Sequence, residues 1–160
     1  MGLIVQKYGG TSVADPDRIR HVAKRVSKTY NDGHNVVVNL SAMAGVTDKL
    51  IALAGQAAKS PDKRELDVLL ATGEQTAAAL LAMTLRDMNY PARSMLGHQA
   101  QVVTDRDFGN ARILEIGTNA IKNLLAQRNI VVVTGFQGTD SQGNITTLGR
   151  GGSDTVSYTH

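Results

Sequence analysis

Lys7-Tyr8-Gly9-Gly10-Thr11-Ser12 sets a lysine beside two glycines and two hydroxyls, directly after the apolar run Leu3-Ile4-Val5. These residue types can hold a phosphate. Glycines let backbone N–H groups approach an anion, a following helix directs its positive end at it, and Lys7 adds a full mobile charge. Asp15-Pro16-Asp17 reads as an N-cap, a proline at the first helical position and an acidic first turn, so the order is strand, glycine loop, helix. A glycine pair after a first strand serves close packing equally well. Near the other end, Thr146-Thr147-Leu148-Gly149-Arg150-Gly151-Gly152-Ser153-Asp154 forms a second candidate anion site. Arg150 offers a planar fork suited to carboxylate or phosphate, and Ser153 or Asp154 can cap a helix. Asp154 would repel an anion unless it holds Lys7 or Arg150 in place or meets a metal. Alone, this segment also reads as a polar turn before a capped helix; the two motifs together favour two anionic groups brought into one place.

Those residues need a scaffold, and the composition supplies one. The 160 residues are 42% hydrophobic, enough for one core and one domain. Seventeen basic and 14 acidic side chains leave a formal net charge of +3. The basic residues are scattered and only two Phe and four Tyr are available for stacking, so nucleic-acid binding is not implied. With no cysteine, disulfides and thiolate metal sites are excluded and a reducing, cytoplasmic setting is expected. No run reads as long and apolar enough to span a bilayer, and the N-terminus lacks the pattern of a secretory leader, so no membrane partner is expected.

Strand and helix signals alternate along the chain. Ile19, Val22, Ala23 and Val26 recur at helical spacing until Asn31-Asp32-Gly33. Val36-Val37-Val38-Asn39-Leu40 and Ile130-Val131-Val132-Val133-Thr134 are β-branched runs of the kind buried on both faces of a parallel sheet. The loop after Leu40 leads to a helix expected to be capped at Thr47 or Asp48, with Leu50, Leu53 and Ala57 or Ala58 facing inward. A long Ala/Leu/Met-rich helical region runs to about Met88, with an interruption expected at Thr72-Gly73. Ala92–Leu96 and Gln101–Thr104 read as short strands, and Thr118–Arg128 as a helix. Phe136–Gly138 and Ile145–Thr147 form a hairpin around Asp140–Asn144. The expected fold is α/β, a largely parallel sheet sandwiched by helices. Ligands in such sheets gather at the strand C-terminal ends, where the loops after Val5, Leu40 and Val133 all lie if those strands are parallel.

That order exposes a constellation: Lys7-Tyr-Gly-Gly-Thr-Ser, Ser41-Ala-Met, Thr72-Gly-Glu74, Gly135-Phe-Gln-Gly138 and Thr147-Leu-Gly-Arg-Gly-Gly-Ser-Asp154. From Leu3 to about Thr155 the chain resembles the aspartate kinases of the amino-acid kinase superfamily, whose fold is of the carbamate kinase type. The resemblance implies ATP- and Mg²⁺-dependent phosphorylation of the β-carboxylate of L-aspartate to 4-phospho-L-aspartate, on the way to lysine, threonine and methionine. It also implies roles. Lys7 holds the transferring phosphate, Gly9 and Gly10 give backbone approach, and Thr11 and Ser12 finish the loop. Ser41 is a phosphate-side contact and Thr47 a substrate contact. Glu74 partners the substrate ammonium, Arg150 grips the α-carboxylate, Ser153 adds a hydroxyl, and Asp154 organises Lys7 and the active-site cations. Gly135 and Gly138 let the Phe136-Gln137 backbone line the site. Glu74 also reads as an ordinary helix-face carboxylate, and Gly135 as a strand-end turn glycine.

Other features are expected to be structural. His21, His34, His98 and His160 lack metal-ligand spacing, and no protein metal ligands are expected. Met83, Met88 and Met95 read as packing residues. Asp107-Phe108-Gly109 lacks the companion motifs of a protein-kinase loop and reads as a turn. The resemblance makes residues 1–160 the N-terminal, substrate-binding portion of a kinase domain, without the remainder that carries most nucleotide contacts and without regulatory ACT domains. The chain is expected to be feeble or inactive alone, and an open sheet edge makes a homo-oligomer an expectation. Two alternatives remain at this point: a non-catalytic anion-binding or interaction module of the same fold, or an amino-acid kinase for another carboxylate.

Overall fold

The computed structural model describes residues 1–149. Strand β1 (Leu3–Tyr8) is followed by a single 3-10 turn (Gly10–Val13) and helix α1 (Pro16–Asn31). Strand β2 (Asn35–Leu40), helices α2 (Val46–Ala57) and α3 (Lys63–Asp87), and strands β3 (Ala92–Met95), β4 (Val102–Thr104) and β5 (Ile113–Ile116) come next. Helix α4 (Asn119–Ala126) precedes strands β6 (Ile130–Thr134), β7 (Gln137–Thr139) and β8 (Ile145–Thr147).

Strands β1, β2, β6 and β3 form a parallel sheet in the order β1-β2-β6-β3. Its two central strands alternate between two cores. Val36, Val38, Leu40, Ile130 and Val132 face Ile19, Val22, Ala23 and Val26 of α1 and Ala77, Ala78, Leu81 and Leu85 of α3. Val37, Val131 and Val133 face Ile121 and Leu125 of α4 together with Val102, Ala111 and Leu148. The sandwich is therefore as expected, with one addition. A second four-stranded sheet, ordered β5-β4-β7-β8 and largely antiparallel, covers part of the α4 side. Its edge strand β5 carried no sequence expectation: it is short, half exposed, and joined to β4 through a register shift.

Local chemistry explains most boundaries. Asp15 caps α1 by accepting from the Arg18 N–H at 2.9 Å, and Pro16 needs no donor at that position. Asp62 caps α3 in the same way through the Glu65 N–H. Helix α2 corrects its expectation: it begins at Val46 behind Gly45, whose φ of 78° only glycine adopts cheaply, and neither Thr47 nor Asp48 caps it. Nor does it bury the expected stripe. Only Ala54 is buried, and Leu53 is 55% exposed, because α2 rests on α3 rather than on the sheet.

Helix α3 runs unbroken for 25 residues through Thr72-Gly73. Gly73 is there for proximity: a Cβ at that position would sit 2.9 Å from the Ala42 Cβ. By length and composition α3 could cross a membrane, which also corrects the sequence reading, but Leu81, Leu85 and its inner alanines pack against the parallel sheet and α1 as a core helix. Met95 is buried and Met88 packs against the core, whereas Met83 is 59% exposed and is no packing residue.

Candidate active site

Because β1, β2 and β6 are parallel and in register, their C-terminal ends lie side by side. Lys7 pairs with Asn39, Asn39 with Val133, and Leu40 with Thr134. The Ser41 N–H donates to the Tyr8 carbonyl at 3.1 Å and the Gly135 N–H to the Leu40 carbonyl at 2.8 Å, so three loops leave one edge together. Lys7 is the exposed second-to-last residue of β1, not the first residue after it, since the strand extends three residues past Val5.

The two glycines after Tyr8 differ. Gly10 is where the first two loops touch: its carbonyl accepts from the Ala44 N–H at 3.1 Å, and a Cβ there would lie 2.8 Å from the Ala42 carbonyl oxygen. Around Gly9 a Cβ would meet nothing within 4 Å. Gly9 is thus the residue with open space for an incoming anion. Thr11 is exposed and Ser12 partly so in the 3-10 turn, and the α1 N-terminus that was expected to face the anion is already satisfied by Asp15. Ser41 and Thr47 are half-buried on the second loop and the first turn of α2.

Glu74 reaches the same edge from α3. Its side chain is 4% exposed; Oε1 accepts from the Ala42 N–H at 3.3 Å, and Oε2 has no hydrogen-bond partner among the described residues. Burial pushes its carboxyl up to about 7, with the Glu74 and Ala42 backbone N–H groups only partly opposing it. An orphaned buried acceptor at the same strand-end edge as Lys7 and the open backbone at Gly9 suits a ligand that carries both a cationic donor and anionic oxygens.

Phe136 turns the chain from β6 into β7 with a φ of 63°, a left-handed conformation that costs an aromatic residue about 1–2 kcal/mol. Gly135 is buried at the strand end. Gly138 lies within β7, where a Cβ would strike Thr104 and Val102 of β4, so the close approach it permits is between strands. Arg150, Ser153 and Asp154 lie outside the described residues.

Three buried polar side chains had drawn no role from the sequence. Asn39 sits in the middle of this edge, a buried polar residue among the valines and leucine of β2. The Gln137 amide donates to the Ala71 carbonyl at 3.0 Å and accepts from Gln75. Asp67 lies on the inner face of α3 and binds backbone on the second sheet. A polar residue inside an apolar run was the available signal for Asn39; Gln137 and Asp67 carried none. Among the described residues no three His, Asp or Glu side chains cluster as metal ligands.

The sequence model of the amino acid kinase family matches residues 2–159. The chain belongs to the amino acid kinase family. Within it, the chain is 53% identical to an aspartokinase of Geobacillus stearothermophilus and 52% identical to an aspartokinase of Pseudomonas aeruginosa, each over 98% of this chain. It spans 38% of the length of each of those relatives. Among solved structures, aspartate kinase from Synechocystis superposes with a TM-score of 0.81 at 44% identity, covering 97% of this chain and 25% of that one. Escherichia coli aspartokinase III, solved with aspartate and ADP, gives a TM-score of 0.75 at 27% identity over 95% of this chain and 44% of that one.

Proposed function

We propose that this chain forms the aspartate-binding part of an aspartate kinase, which transfers the γ-phosphoryl group of ATP to the β-carboxylate of L-aspartate and yields 4-phospho-L-aspartate. The observation that carries the reading is Glu74: a buried carboxylate at the strand ends whose Oε2 has no hydrogen-bond partner among the described residues, on the sheet edge that also carries Lys7 and the open backbone at Gly9, in a chain about half identical to aspartokinases. A substrate with an ammonium and two carboxylates answers each of these groups.

The nucleophile is a carboxylate already ionised at neutral pH, so the site needs no general base. What it must overcome is repulsion between that carboxylate and the triphosphate. Lys7 lowers that repulsion from one side, with Gly9, Thr11, Ser12 and Ser41 supplying donors along the same edge. Glu74 takes the substrate ammonium and Thr47 a neighbouring polar group. Arg150 and Ser153 are assigned the α-carboxylate, and Asp154 the placing of Lys7. Gly135 keeps the Phe136-Gln137 backbone at the site wall. Mg²⁺ bound with ATP supplies further positive charge to the transferring phosphoryl oxygens. Most nucleotide contacts are assigned to the length of the relatives that this chain does not span. The setting is cytoplasmic biosynthesis of lysine, threonine and methionine, and the open edge of β1 gives a homo-oligomer a place to form.

Capture of aspartyl phosphate as its hydroxamate tests this in the complete chain that carries the segment. Lys7→Ala should remove turnover with the fold intact, and Glu74→Gln should raise the aspartate KM far more than the ATP KM. Equal turnover with a carboxylate that lacks the α-ammonium would sink the assignment of Glu74 and favour another acceptor.

A further inference from the structure

The one carboxylate on α3 besides Glu74 that is fully buried is Asp67, 1% exposed. Burying a carboxylate is costly unless donors meet it. Asp67 has three: Oδ1 accepts from the Thr147 hydroxyl at 2.7 Å, and Oδ2 accepts from the Thr147 N–H at 2.8 Å and the Gly109 N–H at 3.0 Å. No Lys or Arg among the described residues forms an ion pair with it. Two of the three bonds go to a single residue of β8, Thr147, which stands three positions before Arg150 in the chain.

The next two amides are tied as well. The Leu148 N–H donates to the Phe136 carbonyl at 2.8 Å and the Gly149 N–H to the Ala111 carbonyl at 3.2 Å. Three successive N–H groups thus reach helix α3, the β6–β7 turn and the loop before β5. On α3, Asp67 and Glu74 are seven residues apart, two turns on one face and about 10 Å along the axis. Between them the Ala71 carbonyl holds Gln137. One rigid helix therefore fastens the Ala42 loop at Glu74 and the approach to Arg150 at Asp67.

We infer that Asp67 is a positioning residue: by clasping Thr147 to α3 it sets the spacing between Glu74 and Gly149, the residue to which Arg150 is covalently joined, and with it the affinity for a substrate bearing an ammonium and a carboxylate. The inference rests on the aspartate kinase reading above. Asp67 itself touches no substrate.

The test uses the complete kinase with Thr147→Val, Thr147→Ser and Asp67→Asn, reading the KM for each substrate, the melting midpoint and hydrogen exchange at the Gly109 and Thr147 amides. Thr147→Val removes one charge-assisted hydrogen bond and should raise the aspartate KM about tenfold while the ATP KM stays within about twofold. Thr147→Ser keeps the hydroxyl and should stay near wild type. Asp67→Asn should speed exchange at both amides, and its effect on the aspartate KM should not add to that of Thr147→Val. An unchanged aspartate KM in Thr147→Val, or equal rises for both substrates, overturns the positioning role. A wild-type kinase that does not phosphorylate aspartate sinks the functional reading instead. The clasp is then judged on exchange alone, and unaltered protection in Asp67→Asn overturns it.

Discussion

The two sheets are built on different physics. In the parallel sheet, β2 and β6 are buried almost throughout and alternate valines between two dry cores, so the strands are held by apolar packing on both faces. The second sheet has strands of three or four residues and is pinned by polar groups: the Thr104 and Thr146 hydroxyls at 2.6 Å, the Asp67 clasp, and the Asp140 turn. Asp140 accepts from the Asn144 side chain and from the Gln142 and Asn144 N–H groups, which hold its carboxyl below the usual range, helped by Arg106. Packing makes the platform; directional bonds aim what hangs over it. Hydrogen bonds suit the second task because they specify distance and angle, which hydrophobic contact does not.

Mutations can pull these roles apart. Leu81→Ala, a fully buried truncation beneath the parallel sheet, should cost about 3 kcal/mol in denaturant unfolding and weaken every element at once. Glu74→Gln should act in the opposite direction. The Glu74 carboxyl has a folded value of about 7 against the usual 4.5, so the folded state takes up a proton as pH falls and the wild type loses stability as pH rises from about 4.5 to 7. Removing that group should raise stability by up to about 3 kcal/mol at pH 8 and by almost nothing at pH 4. A melting curve at each pH checks this, and equal shifts at both would rule out a buried ionised Glu74. The same variant should bind aspartate poorly, so stability and function part at one residue. Thr146→Val removes a buried hydroxyl bond and should cost about 1 kcal/mol. Amide exchange should speed in β4, β7 and β8 and leave β2 and β6 unchanged; uniform acceleration would erase the distinction between the sheets. Leu114→Ser, on an edge strand at 67% exposure, should change stability by less than about 0.5 kcal/mol.

The same division explains what could be read from the sequence. Helix α1 and strands β2 and β6 carry their own signals, a proline after a capping aspartate and unbroken β-branched runs, and they stand where those signals put them. Helix α2 shows the limit. Leu53 keeps helical spacing, but which side of a helix is buried depends on what lies beside it, and α3 rather than the sheet lies there. Gly73 looked like a break because a glycine in a helix usually weakens it; its reason is the loop at Ala42, 31 residues away in the chain. At the site, Lys7 was legible from its glycine loop, whereas Ser41 and Glu74 were singled out only through the family resemblance; parallel pairing brings Lys7 and Ser41 to one edge. Asp67 was not legible. A lone aspartate between Leu66 and Val68 looks like any solvated helix residue until Thr147 and Gly109 are folded against it.

The order of strands has a consequence for synthesis. Strand β2 pairs with β6 from Val37–Val131 to Leu40–Thr134, so the ribosome must add roughly 90 residues, about 5 to 20 s of elongation, before the sheet can close. During that interval one edge of a valine-rich strand stands unpaired. The growing chain is then exposed to misassociation along that edge.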